Sequence, residues 1–149
     1  MSELSLAIYQ PDDQESFARL VEDVHAEFGF EYNAELDADL AEPESHYALI
    51  VVVKSGSEVV GSAALTEARA GVATLKRMYL RPSLRGHGWG RRLLEEVTER
   101  AVRDGCEQIQ LDTTTRQIGA LRLYKKSGFK LIRQNGEALV YSKELRPST

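Results

Sequence analysis

Three arginines and three glycines crowd the stretch "SLRGHGWGRRLLEEV" at residues 83–97: Arg85, Gly86, Gly88, Gly90, Arg91 and Arg92. Glycine lets another group come close to the backbone, at an entropic cost in folding. An amphipathic run follows at once, so the arginines sit where the dipole of a helix is already positive. Cations gain nothing there unless an anion is shared. The first N–H groups of a helix lack internal partners, and with successive loop amides they form a nest for phosphate. The chemistry indicated is therefore anion binding, against the alternative of a tight connection with solvated arginines. Spacing narrows the ligand. A Walker A loop needs Lys-Ser or Lys-Thr after its glycines, and none follows. The GxGxxG pattern fails too, because Gly86 and Gly88 lead to Arg91, and Gly88 and Gly90 lead to Leu93. Asp112 lies about twenty residues on, as a dinucleotide site would want. Pro82 nevertheless separates strand from glycines, and no βαβαβ repeat is visible.

The elements that must position this loop follow from periodicity. "LSLAIYQ" (4–10) alternates as a strand does. Asp12 or Asp13 can cap a helix with Phe17, Leu20, Val21, Val24 and Phe28 on one face, stopped by Gly29. A weaker helix is expected over roughly 34–41. Strands near 47–54 and 58–67 flank "SGS" as a hairpin, and "VATLKRMYL" (72–80) runs up to Pro82. The helix from about Gly88 to Asp104 buries Leu93, Leu94, Val97 and Ala101. "QIQLDT" (108–113) is the next strand, then a short helix at about 117–127 closed by Gly128, and the strands "FKLIR" and "EALVYSKEL". The order is β-α-α-β-β-β-α-β-α-β-β, an α+β arrangement with a mixed sheet, and residues 1–149 read as a single domain.

Composition excludes several classes. At 149 residues, 42% hydrophobic and 28% charged, the chain is of ordinary globular type. "ALIVVV" is too short to cross a bilayer, and the N-terminus lacks the basic and apolar regions of a signal peptide. The lone Cys106 excludes an internal disulfide and suits a reducing cytoplasm. Just past a helix C-terminus, where the dipole disfavours a thiolate, it makes a poor nucleophile. Between Arg19 and Lys54 stand nine acids and no Lys or Arg, so a net charge of −4 leaves +5 for the rest. An acidic region beside a basic one is implied. The basic excess is too small and dispersed for nucleic acid to be a partner.

R-x-x-G-x-G, at Arg85, Gly88 and Gly90, resembles the acyl-CoA loop of the GCN5-related N-acetyltransferases. "GALRLYKKSGF" (119–129) is similar to the second motif of that family, matched at Ala120, Leu123, Tyr124, Gly128 and Phe129. The resemblance covers nearly the whole chain and implies that family's fold, with acetyl-CoA as co-substrate and no metal. It implies that amides of Arg85, Gly86, His87, Gly88, Trp89, Gly90 and Arg91 bind the CoA pyrophosphate. The backbone of Met78, Tyr79 and Leu80 would pair with the pantetheine arm, as a peptide adds to a sheet edge. Met78 and Leu80 read equally well as core, Trp89 as packing under the helix start, and His87 as a solvated loop residue. Tyr124 is the expected catalytic residue. A tyrosine of pKa about 10 can protonate a leaving thiolate of pKa about 8.5 when positioned to do so.

Two departures from that family stand out. Gln117 occupies a position where asparagine is common, which weakens the cofactor contact assigned to it. Thr74 occupies a position where many relatives carry a glutamate as base, so no in-strand base is assigned. Water leading to Asp112, Glu31 or another acid, or an amine arriving neutral, are the alternatives. The segment "FGFEYNAELDADLAEPE" (28–44) is expected to line the acceptor side, with Glu31 and Tyr32 as contacts. A carboxylate-lined entrance would draw a cationic amine. The competing reading is a solvated acidic face. The function implied is direct acyl transfer from acetyl-CoA to a primary amine of a small molecule or peptide, in the cytoplasm, with a homodimer left open. A non-catalytic CoA-binding regulatory module is the alternative. A nucleotide-binding oxidoreductase fragment is opposed by the glycine spacing.

Overall fold

The computed structural model describes residues 3–31 and 33–145. One seven-stranded sheet carries the chain, in the order β1-β2-β3-β4-β5-β7-β6. Its strands are β1 (Leu4–Ile8), β2 (Leu49–Ser55), β3 (Glu58–Leu65), β4 (Val72–Leu80), β5 (Gln108–Thr114), β6 (Lys130–Asn135) and β7 (Ala138–Glu144). The helices are α1 (Gln14–Glu27), α2 (Trp89–Arg103) and α3 (Ile118–Lys126). Every strand pairing is antiparallel except β4 with β5.

The sheet is buried on both faces. Phe17, Leu20, Val21 and Val24 of α1 pack with Ile50, Val52, Val59 and Ala64 on one side. Leu93, Leu94, Val97 and Ala101 of α2 pack with Val51, Val53, Leu75, Ile109 and Leu111 on the other, where α3 also sits. Central strands covered twice read as continuous apolar runs rather than alternating ones, which is why "ALIVVV" shows no period of two.

Two local outcomes differ from the periodicity. Residues 34–41 form turns and a 3₁₀ helix at Ala38–Leu40, with another at Pro43–Ser45, rather than an α-helix. The segment buries Asp37 and Asp39 as well as Leu40, so ion pairing holds it rather than an apolar stripe. Asp13 stands at the N-cap of α1 without capping it. Its carboxylate accepts the Gln10 N–H at 2.9 Å and pairs with Lys54 at 2.7 Å.

The feature that creates the site lies in β4. Its pairing with β5 covers only Val72–Leu75 against Gln108–Leu111, while each strand continues beyond that point with its other neighbour. The register against β3 slips between Ser62 and Ala64, whose partners are Tyr79 and Lys76. The extra residue makes a bulge, which bends a strand and increases its twist. Arg77 sits there with φ +53°, and Ser62 Oγ donates to its carbonyl at 2.6 Å. β4 and β5 therefore part at their C-terminal ends and leave an open sheet edge.

Candidate active site

A cavity of about 630 Å³ opens where the two strands part. The volume is within the usual range for a small-molecule site. Its wall draws on the end of α1 (Val24, Phe28), the end of β4 (Met78, Tyr79, Leu80), the glycine loop and α3.

Gly86 and Gly88 adopt φ +81° and +87° with open space beside them, so the backbone conformation itself selects glycine at these positions. Gly90 is different. A Cβ there would stand 2.9 Å from Leu123 Cδ2, because the start of α2 and the side of α3 approach closely. Gly88 is the N-cap of α2, and no side chain caps the helix. The first N–H groups of α2 therefore border the cavity without a side-chain partner, the anion nest that the loop promised.

The strand edge is partly available. Arg81 N–H donates to Val60 across β3, and by the alternation of an extended strand Met78 and Leu80 turn their N–H groups to the open side. The Leu80 carbonyl is already occupied, accepting from Arg85 Nη2 at 2.9 Å.

Among the expected cofactor residues, Met78, Tyr79, Leu80, Arg85, Gly86, Gly88, Gly90, Arg91 and Gln117 lie on the cavity wall. His87 and Trp89 do not. His87 is exposed, and Trp89 packs against the core with the Arg92 guanidinium 4.2 Å from its ring centroid. Arg85 lines the wall, but its guanidinium is bound to the Glu27 carboxylate and lies 5.7 Å from the Phe28 ring. Arg122 and Lys126, one turn apart on α3, also line the cavity. Nothing in the spacing of their motif had distinguished them from solvated charges. Among the described residues, four cations and no carboxylate line this cavity.

Part of the acidic interval is engaged inside the molecule. Asp37 and Asp39 pair with Arg77, Asp23 with Arg81, and Glu27 with Arg85. Four of the nine acids thus clamp the α1 region to β4 and its following loop, and the other five are exposed. Glu31 is exposed and off the cavity wall, and Tyr32 lies outside the described residues. Asp112 is likewise exposed, and Thr74 lines a separate cavity with His46 and Glu67.

Tyr124 is 5% exposed, its ring 5.9 Å from Phe129 and 6.5 Å from Tyr141. It lies behind the cavity wall, and burial together with the neighbouring Tyr79 phenol pushes its pKa up. It stays protonated at neutral pH. Gln117 accepts from Thr113 Oγ1 at 3.1 Å. Cys106 is buried and points its thiol at the Gly71 and Gln108 carbonyls, both at 3.3 Å.

The sequence matches the model of the acetyltransferase (GNAT) family over residues 12–129. The chain belongs to that family. This acetyltransferase is 33% identical over 121 residues to the IAA acetyltransferase of Azospirillum brasilense, covering 78% of each chain. Its fold is similar to that of a GNAT-family acetyltransferase from Staphylococcus aureus Mu50, with TM-score 0.88 and 19% identity over 97% of this chain and 100% of the other. The PaiA N-acetyltransferase of Thermoplasma acidophilum, solved in complex with coenzyme A, matches with TM-score 0.77 and 19% identity, over 95% and 99% of the two chains. Among the described residues of this acetyltransferase, no helix is long and apolar enough to cross a membrane. Among the same residues, no cluster of His, Cys, Asp and Glu is arranged to hold a metal ion.

Proposed function

We propose that this acetyltransferase moves an acetyl group directly from acetyl-CoA to a primary amine of a small molecule or peptide. The observation that carries the reading is the cavity itself. An uncapped helix start, a glycine loop and four cations meet an open strand edge, and acetyl-CoA presents phosphates and an amide-bearing arm in the same order. Arg91, Arg122 and Lys126 hold the phosphates together with the loop amides. The N–H groups of Met78 and Leu80 bind the pantetheine arm. Binding in a fixed pose converts a bimolecular encounter into an oriented one. Tyr124, kept protonated, donates to the departing thiolate once a small shift of α3 brings its hydroxyl to the cavity. The acceptor enters beside Phe28. The buried, unpaired Cys106 accords with a cytoplasmic location.

Thermal unfolding with acetyl-CoA, CoA, NAD and ATP in separate samples tests the reading. A ligand at 100 times its Kd adds about 2.7 kcal/mol to the folded state. Stabilisation by acetyl-CoA and CoA alone is expected. Stabilisation by NAD or ATP alone would overturn it.

A further inference from the structure

The reaction needs a group to take the proton from the attacking amine, and among the described residues the cavity wall holds neither a carboxylate nor an imidazole. Apart from the cations, its polar side chains are Tyr79, Gln117 and Ser127. The Gln117 amide and the Ser127 hydroxyl are not bases at neutral pH. Tyr79 differs because its hydroxyl lies 2.9 Å from His25 Nε2. The contact joins residues 54 apart in sequence, across β4 and the last turn of α1.

The geometry orients this pair. Arg77 Nη1 also lies 3.4 Å from His25 Nε2, and a guanidinium only donates. Nε2 is therefore the unprotonated nitrogen and Tyr79 is the donor to it, while Tyr79 itself lies on the cavity wall. This tautomer is assigned from the donors around it. The groups facing His25 are Tyr79 and Arg77 from β4, Asp37 and Asp39 from the segment after α1, and the edge of the Phe30 ring at 5.7 Å between centroids. Burial first, then the Arg77 charge, lowers the His25 pKa, with Asp37 and Asp39 opposing. His25 is thus neutral and able to accept at neutral pH. The negative end of α1 favours the imidazolium while it carries the proton.

We propose that Tyr79 and His25 form the proton relay for the acceptor amine, Tyr79 touching the amine and His25 acting through it. The proposal rests on the acetyl-transfer reading above. The proton of the acceptor ammonium passes to the Tyr79 oxygen as the Tyr79 proton passes to His25 Nε2, and the lone pair so freed forms the C–N bond at the acetyl carbonyl carbon. The C–S bond breaks, the thiolate leaves with the electron pair and takes a proton from Tyr124 or water, the N–H proton of the acylated nitrogen replaces that proton, and the imidazolium returns its own to solvent. Tyr79 is the catalytic residue, and His25 is its positioning residue and proton store.

The test follows thiol release from acetyl-CoA with primary amines of graded basicity, from hydroxylamine to benzylamine, using wild type, His25→Gln, Tyr79→Phe and the double variant. Tyr79→Phe retains the ring and removes one oxygen, so it preserves packing if His25→Gln folds poorly. With benzylamine at pH 7, each single variant should lose about 100-fold in kcat/KM, and the double variant should lose no more. The loss should shrink steadily toward hydroxylamine, which is already neutral at that pH. The acid limb of the pH profile should change, while KM for acetyl-CoA stays within about threefold. An unchanged pH profile, or equal losses across all amines, would overturn the relay. Wild type that releases thiol to no amine would overturn acetyl transfer itself, and that failure is visible before any variant is made.

Discussion

Replacing Arg77 tests whether its guanidinium holds the α1 side of the molecule to the bulged strand. The side chain is 8% exposed and donates to Asp39 at 2.9 and 2.6 Å, to Asp37 at 3.0 Å and to the Leu36 carbonyl at 3.2 Å. Breaking a buried pair by removing one partner costs about 3–5 kcal/mol, because the other charge is left behind. Here Asp37 would keep the Asn33 N–H at 2.9 Å and Asp39 the Tyr47 hydroxyl at 2.6 Å, which places Arg77→Ala at the lower end, about 3 kcal/mol. Arg77→Gly loses the same contacts but relieves the left-handed backbone at φ +53°. That relief is about 1–2 kcal/mol against about 0.5–1 kcal/mol of added chain entropy, so the glycine variant should be the more stable of the two. In urea, with m near 2 kcal/mol/M, Arg77→Ala should lower the midpoint by about 1.5 M. A loss under about 1 kcal/mol would refute the clamp. Arg77→Gly less stable than Arg77→Ala would refute the backbone argument.

Acid should act through the same cluster. Burial raises the Asp39 pKa, but hydrogen bonds from Arg77 and Tyr47 outweigh it and hold the carboxyl below its ordinary value. Its contribution is complete above a pH of about 4 and is lost as pH falls through the folded value, so urea midpoints should drop there and drop less in Asp39→Asn. His25 is also lowered, so its contribution is present above about pH 6.5 and fades below it; His25→Gln should flatten that part of the stability profile. Gly90→Ala puts a methyl 2.9 Å from Leu123 Cδ2 and should destabilise by about 1–3 kcal/mol in the same assay; an unchanged midpoint would refute the close approach. Tyr124→Phe should reduce turnover by about 100-fold at unchanged acetyl-CoA affinity by calorimetry; full activity would remove Tyr124 from the reaction.

The elements and the anion loop were legible in the sequence because both depend on neighbours along the chain. Helix and strand periods place Leu93, Leu94 and Val97 on one face of α2. Gly86 and Gly88 mark backbone conformations that side chains disfavour. Arg85 and Tyr124 were legible as residue types, but not their surroundings: Arg85 binds Glu27, and Tyr124 packs behind the cavity wall. The acidic interval showed an imbalance without its partners, since Arg77, Arg81 and Arg85 reach Asp39, Asp23 and Glu27 only after α1 folds onto β4. The 3₁₀ segment at Ala38–Leu40 was missed for the same reason, being held by tertiary ion pairs rather than by a local pattern. Local composition sets short-range conformation and the sign of a binding loop. The strand parting that opens the cavity, and the contact that brings Tyr79 to His25, arise from long-range packing, which no spacing along the chain encodes.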